Sequence, residues 1–143
     1  MALREGEHYV FCGKTTYLGL ADATHGCLLG TRSLLLVLPL GLSPEGPPSE
    51  PVDVRLRALL GDPGQTVPDL ERSMRRLADE VAGGGCFELD QQARIRVRCG
   101  WLSRGIYLSD RPKGPGWIGF PLKPKATAEA WRAFYQGAPN FVS

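Results

Sequence analysis

The first third of the chain divides into short apolar runs set between turn residues. His8–Cys12 and Thr15–Leu20 are rich in aromatic and β-branched residues and flank Gly13-Lys14, which predicts two strands joined by a hairpin turn. Cys27–Gly30 and Leu34–Leu38 predict two more strands. The latter is apolar at five successive positions, the pattern of a strand covered on both faces. Leu42–Pro51 has four prolines and no periodicity, and predicts a Pro-rich loop over 42–51.

Helical periodicity takes over in the middle. Val52–Leu60 predicts a short helix ended by Gly61-Asp62-Pro63-Gly64. Val67–Ala82 predicts a longer one, because Leu70, Met74, Leu77 and Val81 recur at spacings of 4, 3 and 4 and so form one apolar stripe. Thr66 is its expected cap, Pro68 and Asp69 suit its first turn, and Gly83-Gly84-Gly85 stops it.

Strands return as Cys86–Leu89, Ala93–Cys99, Leu102–Ser109 and Trp117–Leu122. Asp90-Gln91-Gln92 predicts a turn, and Arg111–Gly116 a longer loop. Ala128–Gln136 predicts a closing helix with Thr127 as cap, Trp131, Phe134 and Tyr135 as anchors and Gly137 as stop. The tail after it carries Phe141 and Val142, which either fold back as a packing staple or meet a partner. Strands, two helices, strands and a terminal helix together predict an α+β fold with mainly antiparallel, curved sheet. A pleckstrin-homology-like layout fits this order by shape alone, since no motif marks that family.

Composition narrows the class. The 143 residues are 43% hydrophobic and 22% charged, with 18 Gly and 12 Pro, which is ordinary for a globular domain and turn-rich. A chain of this size buries roughly 70% of its unfolded surface, so one domain over residues 1–143 is expected. The N-terminal residues are charged and hold no apolar signal core. A cytoplasmic protein with reduced cysteines at 12, 27, 86 and 99 is therefore expected. The longest apolar stretch, Ser33–Leu42, is broken by Pro39 and falls well short of the roughly 20 residues of a membrane span.

Candidate chemistry is sparse. Gly13-Lys14-Thr15 lacks the earlier glycine of a phosphate loop, whose place is taken by His8, and a strand rather than a helix follows. No cysteine pair has the spacing of a zinc turn, so no metal and no cofactor is expected. His25 and Cys27 are the nearest thiol–imidazole pair, with Asp22 as a candidate orienting group. On a strand the two share a face about 7 Å apart, too far for direct proton transfer unless the chain bends at Gly26. No serine-nucleophile motif occurs.

Charge is more informative. Residues 1–93 hold 8 basic and 13 acidic residues, net −5, whereas residues 94–143 hold 9 basic and 2 acidic, net +7. Arg94, Arg96 and Arg98 alternate with Ile95, Val97 and Cys99, which places three guanidiniums on one strand face. Arg104, Arg111, Lys113, Lys123 and Lys125 extend the basic half, with Trp101, Tyr107 and Trp117 among them. The competing reading is a solvated face whose arginines pair with Glu88 or the acidic first half.

The sequence thus predicts a small non-enzymatic binding or regulatory protein, an adaptor for instance. Its partner would be an acidic protein, bound through Arg94, Arg96, Arg98, Arg104 and Lys113. The alternatives are a cysteine-dependent enzyme using His25 and Cys27, and a module for anionic lipid or nucleic acid, although no nucleic-acid-binding motif is present.

Overall fold

The computed structural model describes residues 3–18, 23–39, 52–80, 85–101 and 103–142. In chain order its elements are Val10–Leu18 (β1), Ala23–Gly30 (β2), Leu34–Pro39 (β3), Val52–Leu60 (α1), Val67–Glu80 (α2), Gly85–Glu88 (β4), Arg94–Cys99 (β5), Arg104–Ser109 (β6), Ile118–Pro121 (β7) and Lys125–Tyr135 (α3). A single 3-10 turn, Leu89–Gln91, follows β4. The strands form two antiparallel sheets, ordered β1-β2-β3-β4 and β5-β6-β7. The α+β class, the two mid-chain helices and the C-terminal helix are as the sequence predicts. The two sheets form no closed barrel. The pleckstrin-homology analogy therefore goes no further than antiparallel strands followed by a helix.

The unbroken apolar run of β3 is explained by what lies on each side. Leu34, Leu36 and Leu38 join Cys27 and Leu29 of β2 in one core, closed by Leu56 of α1 and Leu70, Met74 and Leu77 of α2. Leu35 and Val37, on the opposite face, join Val10, Cys12 and Leu28 in a second core. That core also takes Ile95 and Val97 of β5, Ile106 and Leu108 of β6, Phe120 of β7, and Ala128, Trp131, Phe134 and Tyr135 of α3. The four-stranded sheet is thus the middle layer, with two helices on one side and the second sheet plus α3 on the other. α2 is positioned by its cap. Asp69 N–H donates to Thr66 Oγ1 at 3.3 Å and Thr66 N–H donates to Asp69 Oδ2 at 3.1 Å, a reciprocal capping box.

Two local expectations are corrected. Gly13-Lys14 is not a hairpin turn. β1 runs through it, and the register with β2 shifts between Cys12 and Thr15, so the extra residue is absorbed as a bulge. Thr127 does not cap the terminal helix, which begins earlier at Lys125 with Pro124 extended before it and the Pro124 carbonyl accepting from Thr127 and Ala128 N–H. Pro124 has no amide proton to lose, which suits the residue at a helix start. The tail folds back: Phe141 forms a parallel bridge with Ile95 and packs on the second core. The predicted loop at 42–51, the 83–84 helix stop and Asp22 lie outside the described residues. Among the described residues no helix is long and apolar enough to cross a membrane.

Candidate functional site

The β5-β6-β7 sheet turns one face to the core and one outward, and alternation decides which residues go where. Ile95 and Val97 point inward and are buried, so Arg94, Arg96 and Arg98 share the outer face, as the sequence predicts. Their register partners on β6 are Ser109, Tyr107 and Gly105. Tyr107 in turn lies opposite Gly119 of β7, where a Cβ would stand 2.5 Å from the tyrosine ring. The missing side chain lets the ring lie across the sheet. Ser103 and Tyr107 hydroxyls are 3.1 Å apart.

The three arginines have different fates. Arg94 is already engaged within the chain: its Nε donates to the Arg111 carbonyl at 2.8 Å and its Nη2 to the Gly114 carbonyl at 2.7 Å and Ser109 Oγ at 3.3 Å. Its guanidinium also lies 4.4 Å from the centre of the Trp117 ring. It therefore fastens the 110–116 loop to the sheet, and Lys113 is exposed on that loop. Arg96 stacks on the same indole at 4.9 Å, and its buried Nε has no hydrogen-bond partner among the described residues. Arg98 is exposed.

Arg96 and Arg98 form the ridge between two hollows. A smaller one, about 190 Å³, lies on the outer sheet face with Ser103, Tyr107 and Trp117. The larger, about 590 Å³, runs along the open side of β5 and is lined by Arg96, Val97, Arg98, Cys99, Gly100, Trp101, Ser103 and Arg132. Among the described residues no carboxylate lines either hollow. Glu88, the expected cross-strand partner, is held instead by Arg75 of α2 through two hydrogen bonds at 3.1 and 3.2 Å. Among the described residues none of Arg96, Arg98 and Arg132 forms an ion pair. Trp101, at the tip of the β5–β6 connection, is 84% exposed.

Arg104 is not part of this row. It shares strand parity with the buried Ile106 and Leu108, so alternation assigns it to the opposite face. Arg132 was not among the residues singled out from sequence. It lies 34 positions beyond Arg98 on α3, and no sequence pattern links a helix residue to a strand face.

The thiol–imidazole pair has another setting. Cys27 is 1% exposed inside the core beneath α1 and α2, and the His25 side chain lies outside the described part. Cys12 is equally buried, whereas Cys86 and Cys99 are half-buried, and no disulfide links the four. Burial and the nearby Glu88 carboxylate push the Cys86 thiol up to about 11. Among the described residues no three His, Cys, Asp or Glu side chains lie close enough together to hold a metal ion. No protein-family model, curated protein or solved structure matches the chain.

Proposed function

We propose that the protein acts by binding an acidic protein partner, through the β5 groove, in an adaptor or regulatory role. The observation that carries this reading is the trio Arg96, Arg98 and Arg132, which line one groove with no carboxylate in its wall among the described residues. Elsewhere on the described surface Arg4, Arg55, Arg72, Arg75 and Lys125 are neutralised by acidic neighbours. Guanidiniums suit this task because their planar donors match carboxylates in a bidentate fashion. An exposed tryptophan beside arginines is also the composition of a binding hot spot. Arg94 supports the site by fixing the loop that carries Lys113, and Lys113 and Arg104 add to the basic field that steers an acidic partner.

The test compares the tagged protein with its Arg96→Gln/Arg98→Gln/Arg132→Gln variant in capture from the native lysate at low and high salt. The expected result is an acidic protein retained by the native chain at low salt, released at high salt, and depleted about tenfold or more on the variant. Undiminished capture by the variant removes the reading. Retention of oligonucleotides or anionic vesicles in place of protein assigns the groove to a different class of partner.

A further inference from the structure

The large groove is also a sheet edge, and its backbone is half used. Ile95 donates its N–H to the Asn140 carbonyl at 2.9 Å and accepts from Val142 N–H at 2.7 Å, so both of its backbone groups point away from β6. Strand alternation then directs the N–H and C=O of Val97 and Cys99 to the same edge. Among the described residues the chain's own tail covers the first of these positions, Ile95. Among the described residues neither Val97 nor Cys99 has a backbone partner on that side, and both line the groove.

We infer that an extended acidic segment of the partner adds to this edge as a further strand, beside Val97 and Cys99 of β5 and beyond the tail segment Asn140–Val142. The inference rests on the acidic-partner reading and specifies how the partner docks. Three features favour it. The edge offers up to four unpaired backbone groups in strand geometry, and main-chain hydrogen bonds to such an edge are what hold a peptide in strand addition. The tail already uses the same edge in the same way, which shows that the flank of β5 admits a backbone at ladder distance. The charges fall on both sides of the added strand: Arg96 and Arg98 belong to the outer face of β5, while Arg132 belongs to α3, which packs on its core face. A strand lying between them presents alternate side chains to the two sets. Carboxylates would there meet guanidiniums that have no ion-pair partner among the described residues.

The probe is a synthetic seven-residue peptide, Glu-Glu-Thr-Glu-Glu-Thr-Glu, which carries carboxylates on both faces of a strand, blocked at both ends and titrated at low salt with calorimetry and with amide hydrogen exchange of the intact protein. Binding is expected, and it should weaken about tenfold or more in the Arg96→Gln/Arg98→Gln/Arg132→Gln variant. The Val97 and Cys99 amides should gain about tenfold or more protection in the bound state, while those of Arg96 and Arg98, directed at β6, stay unchanged. Arginine-dependent binding without protection at Val97 and Cys99 overturns strand addition and leaves the groove reading intact. Absence of binding, or binding indifferent to the three arginines, overturns both.

Discussion

Tyr135 donates its hydroxyl to the Thr31 carbonyl at 2.8 Å, and it reaches that carbonyl by passing over Gly30. A Cβ on Gly30 would stand 2.2 Å from the tyrosine oxygen and 3.3 Å from the Trp131 ring. The rings are fully buried, so neither can swing aside cheaply. Gly30→Ala is therefore expected to destabilise the protein by about 1–3 kcal/mol through overpacking. Tyr135→Phe should cost about 1–3 kcal/mol by leaving the Thr31 carbonyl without its donor. Because the clash and the hydrogen bond involve the same oxygen, the double variant should cost at least about 0.5 kcal/mol less than the two single changes combined. Urea unfolding of the four proteins measures this, and strict additivity would show that α3 does not sit on β2 through this contact. Residue roles of this kind are the least legible in sequence. Alternation places Arg94, Arg96 and Arg98 on one face, but it cannot distinguish them. Arg94 is taken up by carbonyls 17 and 20 positions away, whose location depends on how the 110–116 loop folds.

At the scale of elements, local rules succeed where the stopping signals are local. The end of α1 and the start of α2 coincide with the residues that sequence chemistry marks, because Thr66, Gly61 and the Asp62–Gly64 turn act on their immediate neighbours. They fail at Gly13-Lys14, where the next strand decides: β2 pairs with residues on both sides of the dipeptide and converts an apparent turn into a bulge. The α2 cap carries a pH prediction. The Thr66 N–H and hydroxyl, with Arg72 adding its charge, hold the Asp69 carboxyl below its ordinary range. A carboxylate depressed in the folded state stabilises fully above its unfolded value of about 3.9, and that contribution fades as pH falls through the lower folded value. The urea midpoint of the native protein should therefore exceed that of Asp69→Ala at pH 6, and the gap should narrow steadily from pH 4 downward. A gap independent of pH would assign the loss to packing or helix propensity rather than to the charge at the cap.

Across the whole molecule, the two cores sort the four cysteines, and this offers a check on the layered arrangement. Cys27 lies between the four-stranded sheet and the helices, Cys12 between the two sheets, and Cys86 and Cys99 near the surface. Sequence supplies the evenly apolar β3 and hence the need for two covering layers, but not which cysteine each layer hides. The groove is only half legible for the same reason: its β5 wall follows from alternation, whereas Arg132 arrives with the docking of α3. Alkylation requires a thiolate and access to it. Cys99, half-buried on the groove wall, should label first with iodoacetamide at neutral pH. Cys86 should lag, because a thiol raised to about 11 stays protonated there, and its rate should keep rising as pH approaches that value. Cys12 and Cys27 should label only through opening of their cores, and so should accelerate together across the urea transition. The acidic peptide should slow Cys99 and none of the other three, linking accessibility to occupancy of the groove. If Cys27 labelled first in native buffer, the helices would not seal β2 as described, and the sequence alternative built on His25 and Cys27 would displace the binding reading. Mass spectrometry of partially labelled protein separates these orders in one experiment.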